Sequence, residues 1–313
     1  MKQLAKNRLM HQPNRRGILF ATAVALAGLT LAGPVLAGPQ PDPRHYVFTT
    51  VDFPGATGTE VLRFNSQTLV GDFADADGNT HGWLLSPNHG TFQQYDVPGA
   101  WFTSLSLINP TGLFGGVYRD DPAHPARRHG FFVLNDVLTT IDYPGSTRTS
   151  IVQMNNAGQA VGIGRIPSEG ATTPYGFIWK DGVFTDVSFP GAFGTGVDGI
   201  NEQGDLSGFT TDEAGGLAHA MIRVNGVFTQ IEPAGAIDSI ALSINDRGQA
   251  AGWYDDALGV THGFIYDNGV FTTVDAPGSL ASEITSIGND GVIVGDYIGA
   301  DGIDHGYIAT LKP

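Results

Sequence analysis

From residue 46 onward the chain switches between short alternating runs of apolar and polar residues and clusters of Pro, Gly, Asn and Asp. Val47-Phe-Thr-Thr-Val-Asp52 and Val270-Phe-Thr-Thr-Val-Asp275 alternate with period two, which predicts half-exposed strands. Each such run leads into a turn whose glycine is Gly55, Gly99, Gly145, Gly191, Gly235 or Gly278, at spacings of 44, 46, 46, 44 and 43. Pro precedes all of these except Gly235, which follows Ala234. Next comes an apolar segment ending in a tight turn, as in Gln153-Met-Asn-Asn-Ala-Gly158 or Ser243-Ile-Asn-Asp-Arg-Gly248. A Val/Ala-Gly stretch follows (Ala251-Gly-Trp-Tyr254, Val294-Gly-Asp-Tyr297). An acidic or Gly-rich loop then gives way to His-Gly-aromatic: His81-Gly-Trp83, His129-Gly-Phe131, His262-Gly-Phe264, His305-Gly-Tyr307. Asp181-Gly182, Asn225-Gly226 and Asn268-Gly269 suit tight hairpins into the next alternating run.

Six copies of a unit with four short strands predict an all-β fold, a six-bladed β-propeller of four-stranded blades. The repeat region opens on a fourth-type strand, Tyr46–Phe53, and closes on a third-type strand, Gly306–Leu311. Pairing these two completes the sixth blade and closes the ring without a covalent link, so that no edge is left open. A linear solenoid would leave both ends uncapped and has no use for that offset.

These units are similar to the bacterial HAF-type extracellular repeat family. The resemblance is carried by Val227-Phe-Thr229, Ile244-Asn245, Gly248-Gln249 and His262-Gly-Phe264, with His219-Ala-Met221 as a close variant, and extends over residues 47 to 313. It implies an exported repeat protein and no particular reaction. The chain departs from the pattern at Tyr175, where other units have His, and at a shortened turn, Asn65–Gln67.

Residues 1–37 read as a signal peptide and 38–45 as a linker to a single domain, 46–313. Lys2, Lys6, Arg8, Arg15 and Arg16 precede an apolar run, Ile18 to Leu31, and Val35-Leu36-Ala37 resembles a cleavage site. The apolar run is short for a permanent membrane anchor. Asn14-Arg15-Arg16-Gly17-Ile18-Leu19 fits a twin-arginine export signal, the alternative being an ordinary secretory signal with a chance arginine pair. The expected location is periplasmic or secreted, with no membrane anchor after cleavage. Removing 37 residues and five positive charges from a 313-residue chain of charge −15 leaves 276 residues and −20. Such acidity argues against nucleic acid, which needs a basic face. With Cys 0, disulfides and Cys-ligated metals are excluded.

Features shared by every unit are expected to build the ring. The recurrent histidines, including His219, are accordingly read as structural, each bonded to the loop of its own blade or to a neighbouring backbone, in preference to metal ligands. Variable loops join the second and third strands of each unit, so that face of the ring, with its channel mouth, is the functional candidate. Arg119, Arg127, Arg128, Arg148 and Arg165 fall there, five of the eleven Lys and Arg that follow residue 37. They suit a carboxylate or sulfate on an acidic glycan, against the plainer reading that they pair with acids such as Asp120 and Asp121. Trp101 offers a stacking surface; His124 and Tyr175 offer proton-transfer or stacking groups.

Glu60 and Glu283 occupy one aligned position in units 1 and 6, so ring closure makes a carboxylate pair at the mouth. Asp75, Asp77 and Asn79 resemble part of a calcium loop, though Asp and Gly are also ordinary turn residues. No cofactor beyond calcium is expected. No elbow, zinc or phosphate-loop motif occurs. The expected function is an exported binder of a ligand or partner, an acidic glycan or envelope protein; the alternative is an extracellular polysaccharide hydrolase or lyase at the same face.

Overall fold

The computed structural model describes residues 40–41, 46–86, 90–109, 111–168, 171–213 and 216–312. The proposed leader, 1–37, and most of the linker lie outside these residues. Twenty-five strands and no helix occur among the described residues.

Six antiparallel blades follow one another. Blade 1 holds β3 (Gly58–Phe64), β4 (Leu69–Ala74), β5 (Thr80–Ser86) and β6 (Thr91–Tyr95). Blade 2 holds β7 (Phe102–Ile108), β8 (Phe114–Arg119), β9 (His129–Leu134) and β10 (Val137–Ile141). Blade 3 holds β11 (Arg148–Met154), β12 (Ala160–Ser168), β13 (Ala171–Lys180) and β14 (Val183–Val187). Blade 4 holds β15 (Gly194–Ile200), β16 (Leu206–Thr211), β17 (Ala218–Val224) and β18 (Val227–Gln230). Blade 5 holds β19 (Asp238–Ile244), β20 (Ala250–Asp255), β21 (Thr261–Asp267) and β22 (Val270–Thr273), whose outer edge pairs in parallel with β1 (Gln40–Pro41). Blade 6 holds β23 (Ala281–Ile287), β24 (Ile293–Ile298) and β25 (Asp304–Leu311), and takes its outer strand from β2 (Tyr46–Val51).

The closing pair runs in register from Tyr46 opposite Leu311 to Val51 opposite Gly306. The ring is therefore closed by non-covalent pairing, as the offset of the repeat predicts. Single bridges also link neighbouring blades: Thr80 to Phe102, Arg128 to Arg148 and Tyr175 to Thr195.

The core lies between blades. Val61, Leu69, Phe73 and Trp83 of blade 1 pack with Val51 and Val294 of blade 6, and a comparable cluster fills each of the other five interfaces. The aromatic of His-Gly-aromatic supplies the centre of these clusters: Trp83, Phe131, Phe177, Phe264 and Tyr307 are fully buried. Burial of one such side chain stabilises by about 1.5–3 kcal/mol. The glycine of that motif has a packing cause as well. A Cβ on Gly306 would stand 2.5 Å from Val61 Cγ2 of the next blade, so only Gly lets the innermost strand of blade 1 close against β25.

Two further repeat signals become physical here. The hairpins at Asp181-Gly182, Asn225-Gly226 and Asn268-Gly269 have positive φ at both residues, the geometry that matches strand twist. The Ile-Asn turns lace the far side of the ring. Asn201 Oδ1 accepts from the backbone N–H of Gln203 and Asp205, while its Nδ2 donates to Asn245 O of the next blade at 3.2 Å. Asn245 repeats this toward Gly288 O at 3.0 Å, and Asn65 toward Asn109 O at 2.9 Å. The turn of repeat 1 is one residue shorter: Asn65 N–H meets Thr68 O, where Asn155 N–H meets Gln159 O.

Candidate functional site

Every inner strand carries a β-bulge, at Leu62, Ser106, Val152, Asp198, Leu242 and Thr285. A bulge re-aims the residues beside it. In blade 1 the residue after the bulge is Arg63, only 6% exposed. Its guanidinium crosses the centre of the ring, Nη1 donating to Leu62 O and Thr285 O and Nη2 to Asp198 O and Leu242 O, both at 2.9 Å. One cation thus serves carbonyls from four blades and plugs the channel. Burial lowers Arg63 to about 10, against the opposing charge of Asp198. Arg63 carries a sequence signal of its own, being the one charged residue among its aligned positions (Leu107, Gln153, Gly199, Ser243 and Ser286).

Above this plug, toward the face with the variable loops, lies a recess of two adjoining pockets. The first, ≈ 350 Å³ with its solvent-open mouth included, is lined by Glu60, Leu62, Asp72, Ser104, Ser106, Val117, Arg128, Ser150 and Val152. The second, ≈ 370 Å³ counted the same way, shares Arg128, Ser150 and Val152 and adds Arg148, Ile163, Arg165 and Asp198.

The basic wall comes from blades 2 and 3. Arg148 opens β11 and stands opposite Arg165 of β12, and Arg128 immediately precedes β9. Arg128 donates from Nη1 to Ser150 Oγ at 3.1 Å. Burial, with the like charges of Arg119, Arg165 and Arg148, lowers Arg128 to about 9. Arg119 and Arg165 are also lowered, first by burial and then by Arg148. Arg128, Arg148 and Arg165 therefore line one recess, and Arg119 acts on Arg128 from outside that lining.

The remaining candidates stand apart from the lining. Arg127 is exposed on the loop. His124 is 75% exposed and pairs through Nδ1 with Asp121 Oδ2 at 2.7 Å, which ties it to its own loop. Tyr175 stacks on Tyr143 with centroids 6.4 Å apart, because it points to the face of β13 away from the recess. Trp101 packs against Arg119, whose guanidinium lies 5.6 Å from its ring centroid. That contact uses the indole to hold an arginine.

The acidic wall comes from blades 1 and 6. Glu60 and Asp72 are register partners on β3 and β4, as Glu283 and Asp296 are on β23 and β24. Burial, and then the charges of Asp72, Asp296, Asp304 and Glu283, push Glu60 well above the usual carboxylate range. The expected neighbourhood of Glu60 and Glu283 is thus part of a larger carboxyl group. Burial lifts Asp72 to about 7 against the hydrogen bond from Ser104, with Asp304 adding to the rise. Asp198, at the arginine end, is also raised to about 7 by burial, opposed by Arg63 and Arg165.

The recurrent histidines form clamps at the rim. His81 Nδ1 contacts Asp96 at 3.0 Å, and its Nε2 contacts Asp75 of its own loop at 3.3 Å. His129 bridges Asp142 and Asp120, His219 bridges Glu232 and Asp212, and His262 bridges Asp275 and Asp256. His305 bridges Asp301 and Asp52, the latter following the closing strand β2. Burial opposes the charge on His81, yet Asp96 and Asp75 raise it above its ordinary value. The own-loop contact was expected; the second acid, just before the Pro-Gly turn, was missed. In blade 3 both members are replaced, by Tyr175 and Ser188.

Asp75 is engaged within its loop. Oδ1 accepts from the backbone N–H of Asp77 and Asn79, and Oδ2 accepts from Asn79 Nδ2. The Asn79 amide, ahead of the other bonds, lowers Asp75 to about 2. Among the described residues no group of three or more His, Asp or Glu side chains is placed to hold a metal ion.

No known protein-family model matches the chain, and no curated protein matches it in sequence. Solved structures do. The β-propeller domain of the Trilobed protease from Pyrococcus furiosus, described as having an open velcro topology, aligns at TM-score 0.50 and 10% identity, over 81% of this chain and 94% of that one. A mutant of the Aleuria aurantia lectin in complex with Fucα1-6GlcNAc aligns at TM-score 0.51 and 8% identity, over 82% and 95%. At such identities the likeness is one of fold, and the fold is a β-propeller.

Proposed function

We propose that this chain is an exported ligand-binding propeller of the HAF-repeat kind. Its loop-side recess takes an anionic group, the carboxylate or sulfate of an acidic glycan. The observation that supports this is the convergence of Arg128, Arg148 and Arg165 on one recess, with Arg119 beside them. Like charges gathered in a partly desolvated place repel one another. A bidentate anion relieves that repulsion and gains charge-assisted hydrogen bonds. Export rests on the basic and apolar leader before residue 38.

A second reading, hydrolysis or elimination on an extracellular polysaccharide, is favoured by one feature: Asp72, register partner of Glu60 and lifted by burial to about 7, keeps a proton available near neutral pH. Heparin and polygalacturonate are the probes. Replacing Arg148→Ala together with Arg165→Ala is expected to weaken binding to one of them at least tenfold, whereas Arg127→Ala leaves it unchanged. Double-variant binding equal to wild type rejects the site. Release of reducing ends or unsaturated uronates from the bound polymer selects the enzymatic reading.

A further inference from the structure

The recess holds opposite chemistries within one enclosure. Its first pocket has Glu60 and Asp72 on one wall and Arg128 on the other, with Ser104, Ser106 and Ser150 between them. Glu283, Asp296 and Asp304 stand close enough to Glu60 to act on it electrostatically. An anion alone satisfies the arginines. It also brings negative charge toward this carboxyl group, which costs free energy in a partly desolvated place. At the arginine end, Asp198 presents Oδ2 without any hydrogen-bond partner although the residue is only 2% exposed. A buried acceptor left so costs about 1–3 kcal/mol, a cost that a donor on the ligand removes. Two separate places in the recess therefore call for donors beside an anion.

We propose that the recess recognises a zwitterionic saccharide group: an acid substituent on Arg128, Arg148 and Arg165, a free amine on Glu60 and Asp72, and a hydroxyl donating to Asp198 Oδ2. This rests on the anion-binding reading and names the ligand class for it. The arginines come from blades 2 and 3 and the carboxyls Glu60 and Asp72 from blade 1. A ligand bearing only an acid leaves the carboxyl wall without a partner, and one bearing only an amine leaves the arginines without one. A narrow recess also suits charged substituents of a sugar at the end or side of a chain, with the rest of the polymer lying over the loops. Discrimination then comes from repulsion as much as from attraction, since an acetylated amine leaves the carboxyl wall unmatched and crowded.

Titration calorimetry with glucosamine 6-sulfate, N-acetylglucosamine 6-sulfate and unsulfated glucosamine tests it. The free-amine sulfate is expected to bind at least tenfold tighter than the acetylated one, and unsulfated glucosamine at least tenfold more weakly than glucosamine 6-sulfate. In the Glu60→Gln, Asp72→Asn variant the preference for the free amine is expected to fall below twofold. Equal binding of the two sulfated sugars to the wild-type protein overturns the zwitterion and leaves the anion reading standing. Failure of both sulfated sugars to bind overturns the two readings together. The variant is expected to melt at or above the wild-type temperature. If it does not fold, the wild-type comparison between the two sulfated sugars decides alone.

Discussion

The two faces of the ring follow opposite rules. On the face that carries the Ile-Asn turns, nearly every blade does the same thing. Asn65, Asn201 and Asn245 each donate to the turn of the following blade, so the interfaces there are near copies. On the loop face the blades part company: blades 2 and 3 bring arginines, blades 6 and 1 bring carboxyls, and blade 3 drops its histidine clamp. Sixfold repetition is a rule for building a ring; departures from it make one place on that ring chemically unlike the others. Arg63 sits between the two regimes, a single departure that holds carbonyls from four blades.

The largest effect is expected at that junction. Arg63→Met removes a buried cation and leaves the carbonyls of Leu62, Asp198, Leu242 and Thr285 without their donor. Loss of one member of a buried charge network costs about 3–5 kcal/mol, so chemical denaturation should show a marked fall in stability. A variant as stable as wild type would mean that the plug is dispensable and that the two faces are independent.

Next in size is the carboxyl wall. Asp72 titrates near 7 in the folded protein and near 3.8 in an unfolded chain, so folding is favoured with the proton on. That contribution is complete below about pH 4 and is lost as the pH rises through about 7. Asp72→Asn should flatten the decline in melting temperature between those limits and stabilise at pH 8 by up to about 4 kcal/mol. An unchanged pH profile would show that this wall carries no unfavourable charge. The smallest effect belongs to the repeated face. Asn201→Ala loses a turn cap and one inter-blade bond, for about 1 kcal/mol. Urea denaturation should resolve it, and ligand affinity should stay put.

Much of this architecture was legible in the order of residues. The five spacings between the six turn glycines and the offset of Tyr46–Phe53 against Gly306–Leu311 sufficed to predict six blades and their closure, because each unit must bury its apolar face against the next. Those signals recur, and recurrence makes them visible. The Arg cluster was visible for the opposite reason, as an excess in an acidic chain. Tyr175, His124 and Arg127 stand apart from the recess, since closeness along the chain does not say on which side of a strand, or how far out on a loop, a residue lies. Gly164 faces the ring of Tyr143, and its register partner Tyr175 follows it to that side, away from Arg165.

The chain alone determined the repeat, the fold and the face on which charge is unevenly spread, all of them consequences of local pattern and of one repeated packing solution. Only the folded ring decided which charges meet. Arg63 is separated from Thr285 by 222 residues and still hydrogen-bonds to its carbonyl. Glu60 likewise feels Glu283 and Asp296 only because β2 zips onto β25 and brings blade 6 against blade 1. Electrostatic coupling and desolvation depend on distance in space and on exclusion of water, and neither exists until the last blade closes.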